Sequence, residues 1–440
     1  MYEIIRTMRY RLLIIVFFSF SFLEAQEIIP ITKKEFLQRV LENNNNIKIS
    51  QQDVFAAKGD YKQTNAVIVP NISVSHTGIA TTNPLMAFGS KLNQEILTQN
   101  DFNPSLLNNP SQVQSFATTI AIQQPLINLK GMYQRKAIKT TLNAITLKSQ
   151  RTKEYISLEA DKAYMQLQLS YKTVEILKLI KKGALENNRL VANSFKQGHL
   201  QRTDVLSTEI RVLEIENQIQ YSKSHLKNAS NYVSFLMNSS EDVILKPSDE
   251  LLLLMLNEPR KTISKERSDI KAMQLSTEAH QTVFMSEKMS FLPTLNAFGS
   301  YELYDDNLFS GDANGYLFGV QLSWTILDGT KRFGKAQKSK ATYEKAKIEY
   351  QQYVSKSTLE FKKSNRALLD AKNNLTLSLL ALKQSKESLR IRTNRFKQGL
   401  EKTTDLLNAE TQYAQKQLSY SQAIYNYNYA QAYLKYLTKE

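Results

Sequence analysis

The sequence predicts a mainly α protein with a small transmembrane β part, built as two duplicated halves that each run helix, strand, strand, helix, helix. Three observations carry this reading. A segment near residue 195 recurs 201 residues later without a gap. Each half holds a long helical stretch with no proline. Each half also holds a pair of alternating segments, and a proline leads the first member of each pair.

Composition fits that plan. The 440 residues contain only 13 Gly and 9 Pro, so turns are few and long helices are favoured. The apolar share of 42% is that of a folded protein. The net charge of +16 resembles that of nucleic-acid binders. Their basic residues cluster with aromatics in a compact domain, however, whereas here Lys130, Arg135, Lys136, Lys139, Lys148, Arg151 and Lys153 are spread along a helix. A solvated helix face is the better account, and nucleic acid is not expected as a partner. There is no cysteine, which excludes disulfides, thiolate metal sites and N-terminal acylation at a cysteine. The four histidines (His76, His199, His225, His280) have no second histidine at ligand spacing, so neither metal nor cofactor is expected.

The N-terminus reads as an address. Arg6, Arg9 and Arg11 precede an apolar run from Leu12 to Phe22, followed by Leu23-Glu24-Ala25. This is the pattern of a signal peptide spanning 1–25, with the mature chain starting at Gln26. Downstream, no apolar stretch reaches the roughly 20 residues of a membrane-spanning helix; Leu251 to Leu256 is the nearest. A mature chain that spans a membrane must then do so as a closed barrel.

The repeat sets the domain plan. FKQGHLQRTDVLSTE at 195–209 returns as FKQGLEKTTDLLNAE at 396–410. Phe195 and Gly198 match Phe396 and Gly399, and Thr203-Asp204 match Thr404-Asp405. At the same offset Glu186 matches Glu387, Tyr232 matches Tyr433, and Leu236 matches Leu437. A first repeat over 26–245, a connector over 246–261 and a second repeat over 262–440 follow. Each copy reads as helix, turn, helix: the glycine ends one helix, and the Thr-Asp pair offers side-chain oxygens as caps for the next.

Heptad stripes follow both turns. The first is Val205, Thr208, Val212, Ile215, Ile219, Ser222, Leu226, Ala229, Val233. The second is Leu406, Ala409, Tyr413, Lys416, Tyr420, Ala423, Tyr427, Ala430, Leu434. The helices before the turns run from about Lys130 to Ser194 and from about Thr330 to Arg395. Each would extend roughly 95–100 Å if straight, a length suited to a tube or spacer.

The alternating segments lie near 70–80, 115–127, 293–304 and 315–327. Ile72, Val74 and His76 alternate with small polar residues, as do Phe116, Thr118, Ile120 and Ile122. In the second half Leu295, Ala297, Gly299, Tyr301 and Leu303 alternate with Asn296, Phe298, Ser300 and Glu302, and Tyr316, Phe318, Val320, Leu322 and Trp324 alternate with Leu317, Gly319, Gln321 and Ser323. This is the dyad pattern of a barrel that is apolar outside, with Tyr316, Phe318 and Trp324 as an aromatic girdle. Four strands cannot close a pore, so several chains must share one barrel. The connections at 79–115 and 305–314 are expected to be solvated loops.

The duplicated order of strand pair, long helix, FxxG-x4-TD turn and helix resembles the TolC family of outer-membrane efflux proteins. Pro125-Leu126-Ile127-Asn128, matched by Thr325-Ile326-Leu327-Asp328-Gly329 where strand passes to helix, adds to the likeness. The resemblance covers about 33–440. It implies a homotrimer with a 12-stranded outer-membrane barrel continued by a 12-helix coiled-coil tube in the periplasm of a Gram-negative bacterium. It implies a passive exit duct of a tripartite efflux pump or type I secretion system, set in outer-membrane lipid. The partners would be a periplasmic membrane fusion (adaptor) protein and an inner-membrane pump of RND, ABC or MFS type. It places Phe195, Gly198, Thr203, Asp204, Phe396, Gly399, Thr404 and Asp405 at the periplasmic tip against the adaptor. Asp405, Asn408 and Glu401 become the candidate constriction. There Asp405 matches a place for an acidic ring, Asn408 thins that ring, and Phe396 and Glu401 replace a tyrosine and an arginine that can hold such a tip shut.

An enzyme is not expected. The chain shows no nucleophile–base set, metal cluster or phosphate-binding loop, and Asp305, Asp306 and Asp328 read as loop and strand-end acids. A periplasmic coiled-coil adaptor or scaffold is the alternative reading, since such proteins also use long helical hairpins.

Overall fold

The computed structural model describes residues 28–240, 243–254, 262–308 and 310–438. The signal-peptide segment 1–25 and residues 255–261 of the connector lie outside the described residues. The order begins with β1 (Ile28–Ile31), α1 (Lys33–Asn43), α2 (Asn45–Gln63), β2 (Asn71–Thr81), α3 (Pro84–Asn93), α4 (Pro104–Asn108) and β3 (Val113–Ile127). It continues with α5 (Leu129–Lys196), α6 (Arg202–Leu236), β4 (Ile244–Pro247), α7 (Ser268–Met289), β5 (Thr294–Asp305), β6 (Ala313–Ser323), α8 (Lys331–Lys397) and α9 (Thr403–Thr438). The two long helices and three of the four strands lie close to the segments named from the sequence, and β6 ends at Ser323, short of the expected 327.

The chain divides into two compact units. One holds 1–51, 149–268 and 354–440; the other holds 52–148 and 269–353. In the second unit, β2, β3, β5 and β6 form one antiparallel sheet in that order. Phe116 packs over Gly78 and Phe298 over Gly319; a Cβ at either glycine would lie 2.8 Å from the ring. A side chain at either position would have to displace the ring.

In the first unit the core is helical. Ile31, Phe36, Val40, Ile47, Tyr164 and Leu167 pack with Val233, Leu236 and Leu245. The parallel pairing of β1 with β4 brings the start of the described chain beside the segment after α6, and the sequence reading did not anticipate it. Thr32 caps α1 by accepting from the Glu35 N–H at 3.2 Å.

Three expectations change. The connection 79–115 is not a plain loop: Asn83 caps α3 and Asn103 caps α4, and each precedes a proline at the first helical position. An Asn-Pro step gives a side-chain cap and a preset φ, so it starts a helix as readily as it makes a loop. The Thr-Asp pairs do not occupy cap positions. The cap of α6 is Gln201, and Asp204, two residues inside the helix, reaches back to accept from the Gln201 N–H at 3.0 Å. In the second half α9 starts at Thr403, which is buried with no partner for its hydroxyl, and the Asp405 N–H donates to the Lys402 carbonyl at 3.1 Å. Finally, the α6 stripe is buried largely as expected, at Val205, Thr208, Ile215, Ile219, Leu226 and Val233. The α9 stripe drifts: Leu406, Ala409, Ala423 and Leu434 are buried, but Lys416 is exposed and Ala414, Ser421 and Asn428 are buried instead. Partly buried tyrosines widen the contact there, so small residues take the seam.

Candidate functional site

Two surfaces carry the chemistry. The first is the sheet of the second unit. Its register sets Ile72 opposite Ile122, Val74 opposite Ile120, Ile120 opposite Tyr301, and Tyr301 opposite Tyr316. Side chains alternate across a strand, so these residues share one face with Phe318, Val320 and Leu322. That face is apolar and bare: Tyr316 and Phe318 are each 77% exposed and Val74 is 68% exposed. Soluble proteins seldom leave so broad an apolar surface uncovered. The opposite face is more polar, with Ser73, Ser75, Thr119, Gln123, Ser300 and Gln321 beside Ile79, Phe298, Tyr304 and Leu317, and Glu302 is the one carboxylate among its described strand residues.

Of the three proposed girdle residues, Tyr316 and Phe318 stack at 6.2 Å between ring centroids. Trp324 lies just past β6, and its indole N–H donates to the Phe291 carbonyl at 3.0 Å. The acids near the strand ends are structural. Asp305 accepts from the N–H groups of Gly311 and Asp312, and Asp328 pairs with Arg332 at 3.1 Å.

The second surface is the pair of turns in the first unit. Gly198 at φ +77 and Gly399 at φ +73 end α5 and α8 in the left-handed conformation. The following N–H closes each turn: His199 to the Ser194 carbonyl at 2.9 Å, and Leu400 to the Arg395 carbonyl at 3.0 Å. Val191, Val205, Phe396 and Leu406 form one cluster, so the ends of α5 and α8 and the starts of α6 and α9 meet there. Phe396 is 7% exposed, whereas its repeat mate Phe195 is 37% exposed.

The two turns differ where the repeat fails. Val191 and Leu200 pack in or against the apolar cluster. At the same offset stand Arg392 and Glu401, which form an ion pair at 2.6 Å, and Arg395 joins Glu401 at 2.9 Å. Glu401 is thus held within its own hairpin by two guanidinium groups. Asp405 is half-buried and Asn408 exposed. Thr203 and Thr404 are exposed on the first turns of their helices.

Sequence reasoning missed one buried group. Glu410 is 4% exposed and accepts from the Asn187 amide at 2.9 Å, while its other oxygen has no partner. Burial pushes its carboxyl above the usual carboxylate range, against the pull of the Asn187 bond and the Arg211 charge. The repeat pair Glu209–Glu410 was the only signal for it.

Among the described residues no helix is long and apolar enough to cross a membrane, and no group of acidic or histidine side chains could hold a metal ion. The family model for outer membrane efflux protein matches residues 261–438, the part of the chain that carries the second strand pair and the second hairpin. The second half of the chain is thus similar to outer membrane efflux proteins.

Solved channels share its fold. The Campylobacter jejuni CmeC outer membrane channel aligns with a TM-score of 0.79 at 16% identity, over 92% of this chain and 85% of that one. The open state of the Neisseria gonorrhoeae MtrE outer membrane channel gives 0.77 at 14%, over 92% and 88%. The outer membrane protein VceC from Vibrio cholerae gives 0.76 at 15%, over 92% and 96%. No curated protein matches the chain. The chain therefore has the fold of these outer-membrane channels.

Proposed function

We propose that this chain is an outer-membrane efflux protein, three copies of which form one exit duct, passing substrates from an inner-membrane pump and a periplasmic adaptor across the outer membrane. The amphipathic open sheet carries the reading. β2 and β6 each have a single neighbour among the described residues, so each leaves a row of backbone N–H and C=O groups without strand partners. In lipid such groups must be paired, and only closure removes the edges. Because β2, β3, β5 and β6 alternate in direction, β6 of one copy meets β2 of the next antiparallel, and three copies supply twelve strands. The apolar face then meets lipid, with Tyr316, Phe318 and Trp324 at its rim, and the polar face lines the lumen.

In this reading α5, α6, α8 and α9 build the periplasmic tube, and the two glycine turns form its tip. Phe195, Gly198, Thr203 and Asp204 of one hairpin, with Phe396, Gly399, Thr404 and Asp405 of the other, face the adaptor. Asp405, Asn408 and Glu401 lie at the constriction. Passage needs no chemistry in the duct, since the pump supplies the energy. The mass of the detergent-extracted particle from outer membranes tests the assembly. A particle of three chains supports it, and a water-soluble monomer or dimer overturns it.

A further inference from the structure

The positive charge of this chain is concentrated in two helices. α8 holds eighteen Lys or Arg against five Asp or Glu, and α5 holds fourteen against five. α9, of 36 residues, holds two of each. The imbalance continues into both turns. Residues 383–408 contain seven Lys or Arg against three acids, and residues 182–207 contain four against two. The shared apolar cluster brings these two turns to one place.

Helix-dipole stabilisation accounts for only part of this. Cations in the last turn of a helix offset its partial negative charge, which explains Arg395 and Lys397. That effect fades within a turn. Lys383 and Lys386 lie three to four turns earlier, where no dipole calls for them. The acids at the second turn are also muted. Glu401 keeps only 11% of its side chain exposed and is bound by two arginines that stay 40% and 55% exposed. Glu387 is bound by Arg390 at 2.7 Å. The surface groove here is lined by Lys383, Arg392 and Arg395 against Glu387 and Glu401, a positive surplus open to solvent.

We infer that the tip is an anion-concentrating mouth, and that the duct favours anionic substrates over cationic ones. The inference rests on the trimeric-duct reading. It does not depend on which hairpin lines the passage, because both carry a positive surplus; threefold assembly multiplies that surplus about a narrow opening. A ring of like charge beside a water-filled constriction raises the local concentration of counter-ions and sets selectivity. Asp405 alone would give the opposite sign, but Lys402 stands in the turn before it and Arg392 and Arg395 in the last two turns of α8. In the barrel Glu302 opposes the trend, yet a twelve-stranded lumen is wide and screens it more than a tip does.

The test is the reversal potential of the purified full-length trimer in planar bilayers under a potassium chloride gradient. Chloride should be preferred over potassium by roughly sevenfold, as a mouth potential of about kT on each ion implies. Lys383→Glu with Lys386→Glu, both on the exposed face of α8, should bring the ratio to parity or below. The same variants should form trimers and extract from outer membranes as the parent does. A potassium preference in the parent channel overturns the inference and leaves the duct standing. Equal ratios in parent and variant also overturn it, and would return the basic face to a role in docking an acidic adaptor. Trimers that conduct nothing overturn the duct reading and this inference together.

Discussion

Phe195 and Phe396 occupy the same place in the repeat but different surroundings, and truncating each in turn measures that difference. Phe396 is 7% exposed and packs on Val191, Val205 and Leu406, which are 0–3% exposed. Phe396→Ala removes most of a buried ring from a site closed by four helix ends, so about 3 kcal/mol of local stability is lost. Phe195, 37% exposed and outside that cluster, loses about 1 kcal/mol or less. The assay is amide hydrogen exchange at Val205 and Leu406 in the extracted trimer, which reads local opening at the tip directly. About 3 kcal/mol corresponds to exchange faster by roughly 100-fold in Phe396→Ala, against fivefold or less in Phe195→Ala. Equal acceleration in the two variants, or none in Phe396→Ala, would refute the assignment of Phe396 as the shared keystone of both hairpins.

Glu410 makes the same region sensitive to pH. Its folded-state pKa is raised, so its contribution to stability is fully present below the unfolded carboxylate pKa and is lost as pH rises through the folded value. Exchange at Leu406 should therefore slow as pH falls toward the carboxylate range, after correction for intrinsic rates, and Glu410→Gln should abolish that dependence. Gly198→Val combined with Gly399→Val meets no steric obstacle at either Cβ, but forces a β-branched residue into positive φ. It should cost about 1–2 kcal/mol per turn and abolish export, while trimers still extract from the outer membrane; normal export from this variant would remove the turns from the docking site. Val320→Arg, at a position 63% exposed on the apolar face between the girdle residues, should lower outer-membrane assembly by about 2–4 kcal/mol, read as loss of heat-resistant trimer.

The repeat was legible because it is built from pairs that recur intact. Tyr232 donates to Glu159 at 3.5 Å and Tyr433 to Glu360 at 2.9 Å, both at the offset of 201. Arg189 binds Glu186, and Arg390 binds Glu387, in the same geometry at 2.7 Å. The strands were legible because period-2 alternation survives in all four. What stayed hidden has physical reasons. β1 and β4 are four residues each and pair across more than two hundred residues, which leaves no local pattern. α3 and α4 begin with Asn-Pro, a step that serves turns and helix starts alike. The contrast between the two tips was written in the sequence as failures of the repeat, Val191 against Arg392 and Leu200 against Glu401. Only the structure shows that these failures convert a packed apolar pair into an ion pair.

Closure of the proposed duct requires β6 of one copy to pair with β2 of the next. The chain has no cysteine, so introduced pairs report without background. Single cysteines at Ser73, Ser75 or Thr77 in β2, each combined with one at Gln321 or Ser323 in β6, scan the register on the polar face. Oxidation in isolated outer membranes should yield, for at least one pairing, a covalent ladder that ends at three chains. Contradiction would come from a ladder running beyond three, or from no cross-link at any pairing while the protein stays soluble after carbonate extraction.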